Sequence, residues 1–237
     1  GGYKVDESRT KLDAPPPFFM GRTYVAFVGD DSNFGLTSPM RGYRYRFQAG
    51  RTFGEINSWD LLADYRRYFF KKPVGLAFRL MHYGRYGGNS DELYPLFIGY
   101  PYYIRGYSSN SFYKNDSYSE NSLSIDQISG SKMALVNGEI RYPFSGPKRL
   151  ALIKSGFLFS DLVLFFDGGM AFNDFGDIGF QWEPKNEKEQ IPVFSTGISI
   201  RINLLGAIIV EPYYAIPFQR KDIEFGTFGF FLSAGGF

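Results

Sequence analysis

The sequence predicts an all-β protein, an antiparallel sheet whose strands are suited to crossing a membrane. Three observations carry this. Apolar and polar residues alternate with period two along most of the chain, which is the period of a strand and not of a helix. Aromatics make up 19% of the residues, with 26 Phe and 18 Tyr, more than a soluble core needs and in keeping with side chains that meet lipid and form girdles. Mean hydropathy is nevertheless −0.22, and no run approaches the ~20 apolar residues of a spanning helix. A membrane protein averages so polar only if each strand shows one face to lipid and the other to water.

Composition also removes chemistry. The chain of 237 residues has no cysteine, so disulfide frameworks and thiolate metal sites are excluded. Its single histidine, His82, leaves little for catalytic or metal-binding schemes, and no catalytic residue, metal or cofactor is expected. A net charge of +2 argues neither for nor against nucleic acid, and none is expected as a partner. Gly1-Gly2-Tyr3-Lys4 lacks the charged-then-apolar pattern of an export leader. An exported barrel needs one, so the chain is expected to be a fragment or a processed product.

Residues 1–20 read as an irregular lead-in, because Pro15-Pro16-Pro17 cannot join a ladder. Residues 22–30 form the first strand. Residues 38–50 place Tyr43, Tyr45 and Phe47 on one face and Arg44, Arg46 and Gln48 on the other. In 55–70, Trp59, Leu61, Ala63 and Tyr65 oppose Asp60, Asp64 and Arg66. After the Lys71-Lys72-Pro73 turn, 73–83 sets Leu76, Phe78, Leu80 and His82 against Arg79. These strands exceed the roughly 5–6 residues of soluble proteins and suit the roughly 9–11 of a tilted crossing. Residues 84–130 have no sustained period and form a long loop, of a length that is functional or disordered. Its second half, Ser108 to Ser131, reads as a surface segment without chemistry.

Period two resumes in 131–143, where Ala134, Val136, Ile140 and Tyr142 oppose Asn137, Glu139 and Arg141. In 161–173, Leu162, Leu164, Phe166, Met170 and Phe172 oppose Asp161, Phe165, Asp167 and Ala171. Residues 192–203 set Phe194, Ile198, Ile200 and Ile202 against Ser195, Ser199, Arg201 and Asn203. Residues 206–217 set Ile208, Val210, Tyr214 and Ile216 against Glu211 and Tyr213, with Pro212 out of place in a ladder. The last strand is 226–237. Connections alternate between long polar loops and tighter turns, as in outer-membrane barrels. Two fit poorly: 51–54 is short on the long side. Residues 144–160, with Lys148, Arg149 and Lys154, are long on the short side and are expected along the membrane surface. Nine strands result. An odd, open set leaves unsatisfied backbone groups in lipid, so the N-terminal part of the barrel is expected to lie outside this chain.

Three motifs, in order, resemble one family. Ile104-Arg105-Gly106-Tyr107 resembles the (V/I)-R-G-(F/Y) motif in the sixth extracellular loop of the BamA/TamA outer-membrane assembly superfamily. Within Asn137-Gly138-Glu139-Ile140-Arg141-Tyr142-Pro143, the Glu-aliphatic-Arg-x-Pro run resembles that family's next strand. Phe165-Phe166-Asp167-Gly168-Gly169 resembles the F-x-D-x-G strand after it. The resemblance covers roughly residues 37–237. It implies a sixteen-stranded transmembrane barrel, over 21–237 here, of which this chain holds the last nine strands. Phe34-Gly35-Leu36-Thr37-Ser38-Pro39 with Gly42-Tyr43-Arg44 resembles the sub-group whose barrel follows a β-propeller.

Parity adds a check independent of the resemblance. Glu139, Arg141 and Asp167 all point away from the aliphatic faces, hence inward, where Arg105 on an infolded loop can reach Glu139 and Asp167. A guanidinium fork can be shared by two carboxylates. The proposed role is a clamp that pins the loop to the wall, with Gly106 permitting close approach and Gly168 and Gly169 leaving room. Arg44, Arg46, Asp64, Arg66, Arg79 and Arg201 read as a solvated interior network. The terminal strand resembles the C-terminal signal of such barrels through Phe228, Phe230, Leu232 and Phe237, although Phe237 breaks the parity unless Gly235-Gly236 forms a bulge.

The resemblance implies assembly or translocation of outer-membrane proteins or lipids, without covalent chemistry, in the bacterial outer membrane. Its partners would be the bilayer, lipopolysaccharide and client barrels. The alternative is a structural barrel that anchors a periplasmic domain or serves as a subunit of a larger envelope complex. A barrel enzyme is disfavoured by the absence of a nucleophile–base pair, and a passive porin by a loop clamped in its lumen.

Overall fold

A computed structural model of the chain describes residues 19–90, 92–108, 123–182, 185, 189–204, 206, 208–220 and 225–234. It is all-β, 65% strand, and among the described residues no helix is long and apolar enough to cross a membrane. The strands are β1 (Met20–Asp30), β2 (Asn33–Phe34), β3 (Pro39–Gly54), β4 (Ser58–Lys71), β5 (Val74–Tyr86), β6 (Leu96–Phe97), β7 (Ser129–Gly130), β8 (Lys132–Gly146), β9 (Ile153–Lys154), β10 (Leu158–Phe172), β11 (Val193–Leu204), β12 (Ile208–Pro217) and β13 (Thr227–Ala234). Nine long ones lie side by side in the order β1-β3-β4-β5-β8-β10-β11-β12-β13, each antiparallel to the next. With β2 and β9 they make an eleven-stranded sheet, and β6 and β7 form a separate pair. Among the described residues β1 pairs only with β3 and β13 only with β12, so both edges are open and the sheet is not closed.

The alternation read from sequence becomes two chemically distinct faces. Arg44, Arg66, Arg79, Asn137, Asp167 and Ser195 stand in one cross-strand row from β3 to β11. The row one residue away is Tyr45, Tyr65, Leu80, Val136, Gly168 and Phe194. Because side chains alternate across a pleat, a single register puts the charges of the first row on one side, while Arg51 and Arg67 stand on the other, over the rings of Trp59, Tyr43 and Phe69. The apolar face lies open: Phe47, Trp59, Phe78, Leu80, Ile140, Leu164, Phe166, Ile198 and Ile216 are all exposed. The polar face is covered, with Asp60, Asp161, Asp167, Ser195, Ser199 and Glu211 buried.

Pro212 has a clear place in this sheet. Pairing of β11 with β12 holds from Ser195 to Ser199 and again from Ile202 to Leu204, in one unchanged register, and lapses between them, opposite Glu211 and Pro212. A proline has no N–H to donate, so the ladder skips that rung. Pro212 faces outward and stays paired in register with Phe230 of β13.

Two segments cover the inner face. From one end comes the connection between β5 and β8. Far from being only a surface loop, it buries Ile98, Ile104, Tyr107, Leu123 and Ile128 against Met133 and Leu135 of β8, Ala171 of β10 and Val193 of β11. The expectation that Ser108–Ser131 is a surface segment is therefore corrected for its described part, where Leu123, Gln127, Ile128, Ser129 and Ser131 are buried. From the other end comes the stretch before β3. The Leu36 carbonyl accepts from Asn203 Nδ2 at 2.6 Å. The buried Thr37 hydroxyl donates to Asp161 Oδ2, and the Pro39 carbonyl accepts from an Arg141 guanidinium nitrogen at 2.8 Å. These contacts join the start of β3 to β8, β10 and β11, several strands away, so the sheet is curled around its polar face.

Candidate functional site

The site is built where the long loop meets the inner face. Tyr103 N–H and Ile104 N–H both donate to the Tyr100 carbonyl, at 2.9 and 3.0 Å, which makes a tight turn that delivers Arg105 to the sheet. Gly106 follows with φ +91°, a left-handed conformation that favours glycine. A Cβ there would stand 3.1 Å from the Ala215 Cβ and 3.3 Å from Pro217 Cδ, so glycine also allows the close approach to β12. Ile104, Arg105, Gly106 and Tyr107 are all buried. The Tyr107 hydroxyl lies 3.2 Å from both the Phe194 carbonyl and Gln219 Oε1, and Arg220 donates to the Gly106 carbonyl at 2.9 Å.

Arg105 is 5% exposed and Asp167 only 1%. Arg105 Nε donates to Asp167 Oδ2 at 2.7 Å and Nη2 to Oδ1 at 2.8 Å, a side-on pair. The Arg105 backbone N–H adds a third bond to Oδ2 at 3.1 Å. Nη1 reaches Glu139 Oε1 at 3.0 Å and, more weakly, Glu211 Oε1 at 3.4 Å. The guanidinium carbon sits 3.7 Å from the centre of the Phe165 ring, a cation–π arrangement in a desolvated place. Burial works against the Arg105 charge. The Asp167 hydrogen bond and the charges of Glu139, Asp167 and Glu211 outweigh it and hold the pKa above the ordinary guanidinium value.

The structure thus brings together Arg105, Glu139 and Asp167, and places Arg141 beside them, with Nε 2.8 Å from Glu139 Oε2. Two residues complete the group that sequence reasoning did not include. Arg201, read as part of a solvated network, instead packs in a buried one: it donates to Glu139 at 2.8 and 2.9 Å and to Glu211 at 2.6 and 3.1 Å. Glu211 also accepts from the Ser199 hydroxyl at 2.6 Å. Part of the signal existed in the sequence: strand parity turns both Arg201 and Glu211 inward. Three guanidiniums face three carboxylates, so the cluster is neutral as a whole. Such a group can be buried because each charged side chain has more than one hydrogen-bond partner, Asn137 serving Asp167 and the Pro39 carbonyl serving Arg141 beside their ion pairs.

The glycines divide. An added Cβ at Gly169 would lie 2.8 Å from Ile104 Cδ1, so this residue does leave room for the loop. At Gly168 it would instead meet the Phe194 ring, 2.7 Å away on the outer face, which corrects its expected role. Asn137, unassigned from sequence, donates from Nδ2 to the Tyr103 carbonyl and to Asp167 Oδ1, both at 2.9 Å. Of the terminal-strand residues, Phe228, Phe230 and Leu232 are exposed together on one face of β13. Phe237 and the Gly235-Gly236 bulge lie outside the described residues.

The cluster holds and orients a loop; its donors and acceptors are spent on each other. A cavity of about 470 Å³ opens onto the cluster and is also lined by Arg66, Arg79, Tyr102, Asn137 and Phe231. No protein-family model matches the chain, and no curated protein matches it.

Proposed function

We propose that this chain is the outer-membrane barrel part of an assembly or translocation protein. It would insert or export outer-membrane proteins or lipids without covalent chemistry, as the resemblance of its three motifs to the BamA/TamA superfamily implies. The observation that carries the membrane half of this reading is the inversion of the two faces. Large apolar residues are exposed on every long strand, while the carboxylates and guanidiniums gathered around Arg105 are covered. In water that arrangement exposes a continuous apolar surface far larger than the few hundred Å² a soluble monomer tolerates; against lipid it is the stable one. The assembly half rests on the buried Arg105 loop and its ordered partners on β8 and β10.

The two halves have separate tests. Leu80→Arg, at an exposed site in the middle of β5, should cost about 2–4 kcal/mol in a bilayer and almost nothing in water. Urea titration of the protein folded in vesicles measures it, and a change within about 0.5 kcal/mol, the range of ordinary surface substitutions, would remove the membrane reading. Depleting the protein from its host should lower several unrelated outer-membrane barrels together. Loss of a single envelope complex would support the alternative, a structural barrel, which the filling of the inner face by a charge-paired loop also suits.

A further inference from the structure

The turn between β8 and β10 is much longer than those between β4 and β5 and between β11 and β12. Its backbone is firmly held. Leu150 and Ala151 N–H donate to the Pro147 carbonyl at 2.8 and 3.0 Å, and Leu152 N–H to the Pro143 carbonyl at 3.2 Å. Residues Ile153–Lys154 add a short parallel strand to Ser145–Gly146, Ser155 N–H reaches the Gly146 carbonyl at 2.8 Å, and the Ser155 hydroxyl accepts from Leu158 N–H at 2.9 Å. Despite this order, its apolar side chains are turned outward: Leu152 is 65% exposed and Phe157 79%, with Ile153 and Leu158 also exposed. A folded loop that leaves these groups out is covered by something else.

Charge says what covers it. Lys148, Arg149 and Lys154 are exposed in the same loop, and Lys71 and Lys72 are exposed in the turn between β4 and β5, which is next along the rim because β5 pairs with β8. Among the described residues none of these five forms an ion pair. The apolar side chains continue onto the outer face through Leu158, Leu204 and Ile208, which follow each other in register across β10, β11 and β12 and are all exposed. Apolar groups joined to the lipid-facing surface, with cations beside them, fit the level of a bilayer where acyl chains give way to phosphates.

We propose that residues 147–158, with Lys71 and Lys72, form an interfacial foot that seats in a leaflet bearing anionic phospholipid and gathers those headgroups around this rim. The proposal rests on the membrane reading above and adds to it a lipid class and a place. Phe157 enters the acyl boundary, and the cations hold phosphates. A cation close to an anionic leaflet favours it by about fivefold, so three of them enrich such lipid locally even where it is scarce in the bulk.

The test uses the full chain folded into vesicles of phosphatidylcholine and phosphatidylglycerol in equal amounts, with Trp59 and Trp182 changed to Phe and Phe157→Trp as a probe. Phe157 is exposed, so the exchange of one ring for another leaves the fold intact. Brominated acyl chains, carried either by the anionic or by the neutral lipid, quench the probe. Anionic lipid should quench it at least about twofold more than neutral lipid, within the enrichment one engaged cation provides. The triple variant K148Q/R149Q/K154Q should equalise the two. Equal quenching in the parent, or a probe that stays open to aqueous iodide, overturns the proposal. Trp59, exposed on the apolar face of β4, reports separately in a Trp182→Phe chain. If Trp59 is quenched and the probe at position 157 is not, the foot is wrong and the membrane reading stands; if neither is quenched, both fall.

Discussion

Removing the Arg105 guanidinium is the sharpest perturbation of this fold. Its partners do not depend on it equally. Glu139 would keep Arg141 and Arg201, and Glu211 would keep Arg201 and Ser199. Asp167 would keep only the backbone N–H of residue 105 and Asn137 Nδ2. Arg105→Ala therefore leaves a carboxylate that is 1% exposed with no cation. Two charged hydrogen bonds at about 1.5–3 kcal/mol each bracket the ~3–5 kcal/mol found when a buried pair loses one member, and the desolvated Phe165 contact, worth about 2 kcal/mol, is lost as part of that cost. We expect a total of about 4 kcal/mol. Urea unfolding of the protein in vesicles or micelles, followed by Trp59 and Trp182 fluorescence, gives this number, and limited proteolysis between β5 and β8 shows whether the loop has left the wall. The double variant Arg105→Met with Asp167→Leu removes both charges and should recover most of the loss, since apolar replacement of a buried pair is close to neutral. A single-variant cost below about 1 kcal/mol, or a double variant no better than Arg105→Ala, would refute the reasoning, because neighbours in one network are not additive.

Other substitutions should follow the same geometry. Gly106→Ala, at φ +91° and close to Ala215, should cost more than about 1 kcal/mol, measured by the same titration; Gly169→Leu should strike Ile104 and speed protease cleavage of the loop. Glu139→Gln should destabilise more than Glu211→Gln, because Glu139 serves three guanidiniums and Glu211 two; equal costs would mean the cluster is not organised around Glu139. Thr37→Val removes one of the hydroxyls on Asp161 and leaves Ser38 at 3.3 Å. It should cost about 1–3 kcal/mol and raise hydrogen exchange at the start of β3 without changing exchange at the long loop.

Much of this was legible from residue order alone. The period of two survives any tertiary arrangement, so nine strands and their two faces could be placed, and with the faces came the inward direction of Glu139, Arg141 and Asp167. The infolding of Leu123–Ser131 was not legible. Its polar composition matches a solvated segment, and its burial depends on contacts with Met133, Ala171 and Ile191 that no local pattern encodes. Nor was the tie between Thr37 and Asp161, two residues separated by 124 positions. Arg201 lies between these cases, because parity gave its direction while only the register of β11 on β12 gave its partner.

The residues from Leu36 to Pro39 have a mechanical consequence. An open curved sheet flexes most easily by changing its radius, flattening and recurling as one plate. A chord of fixed length across the arc blocks that mode. Here one chord ties the start of β3 to β10 and β11 at one end, and the loop anchored through Arg105 and Tyr107 braces β8 to β12 toward the other. With the middle of the arc held at two heights, low-energy bending is left to the margins. Among the described residues β1 and β13 carry neither of these ties, so whatever pairs with this sheet along an edge meets a strand held by its ladder alone, in front of a wall held at two heights.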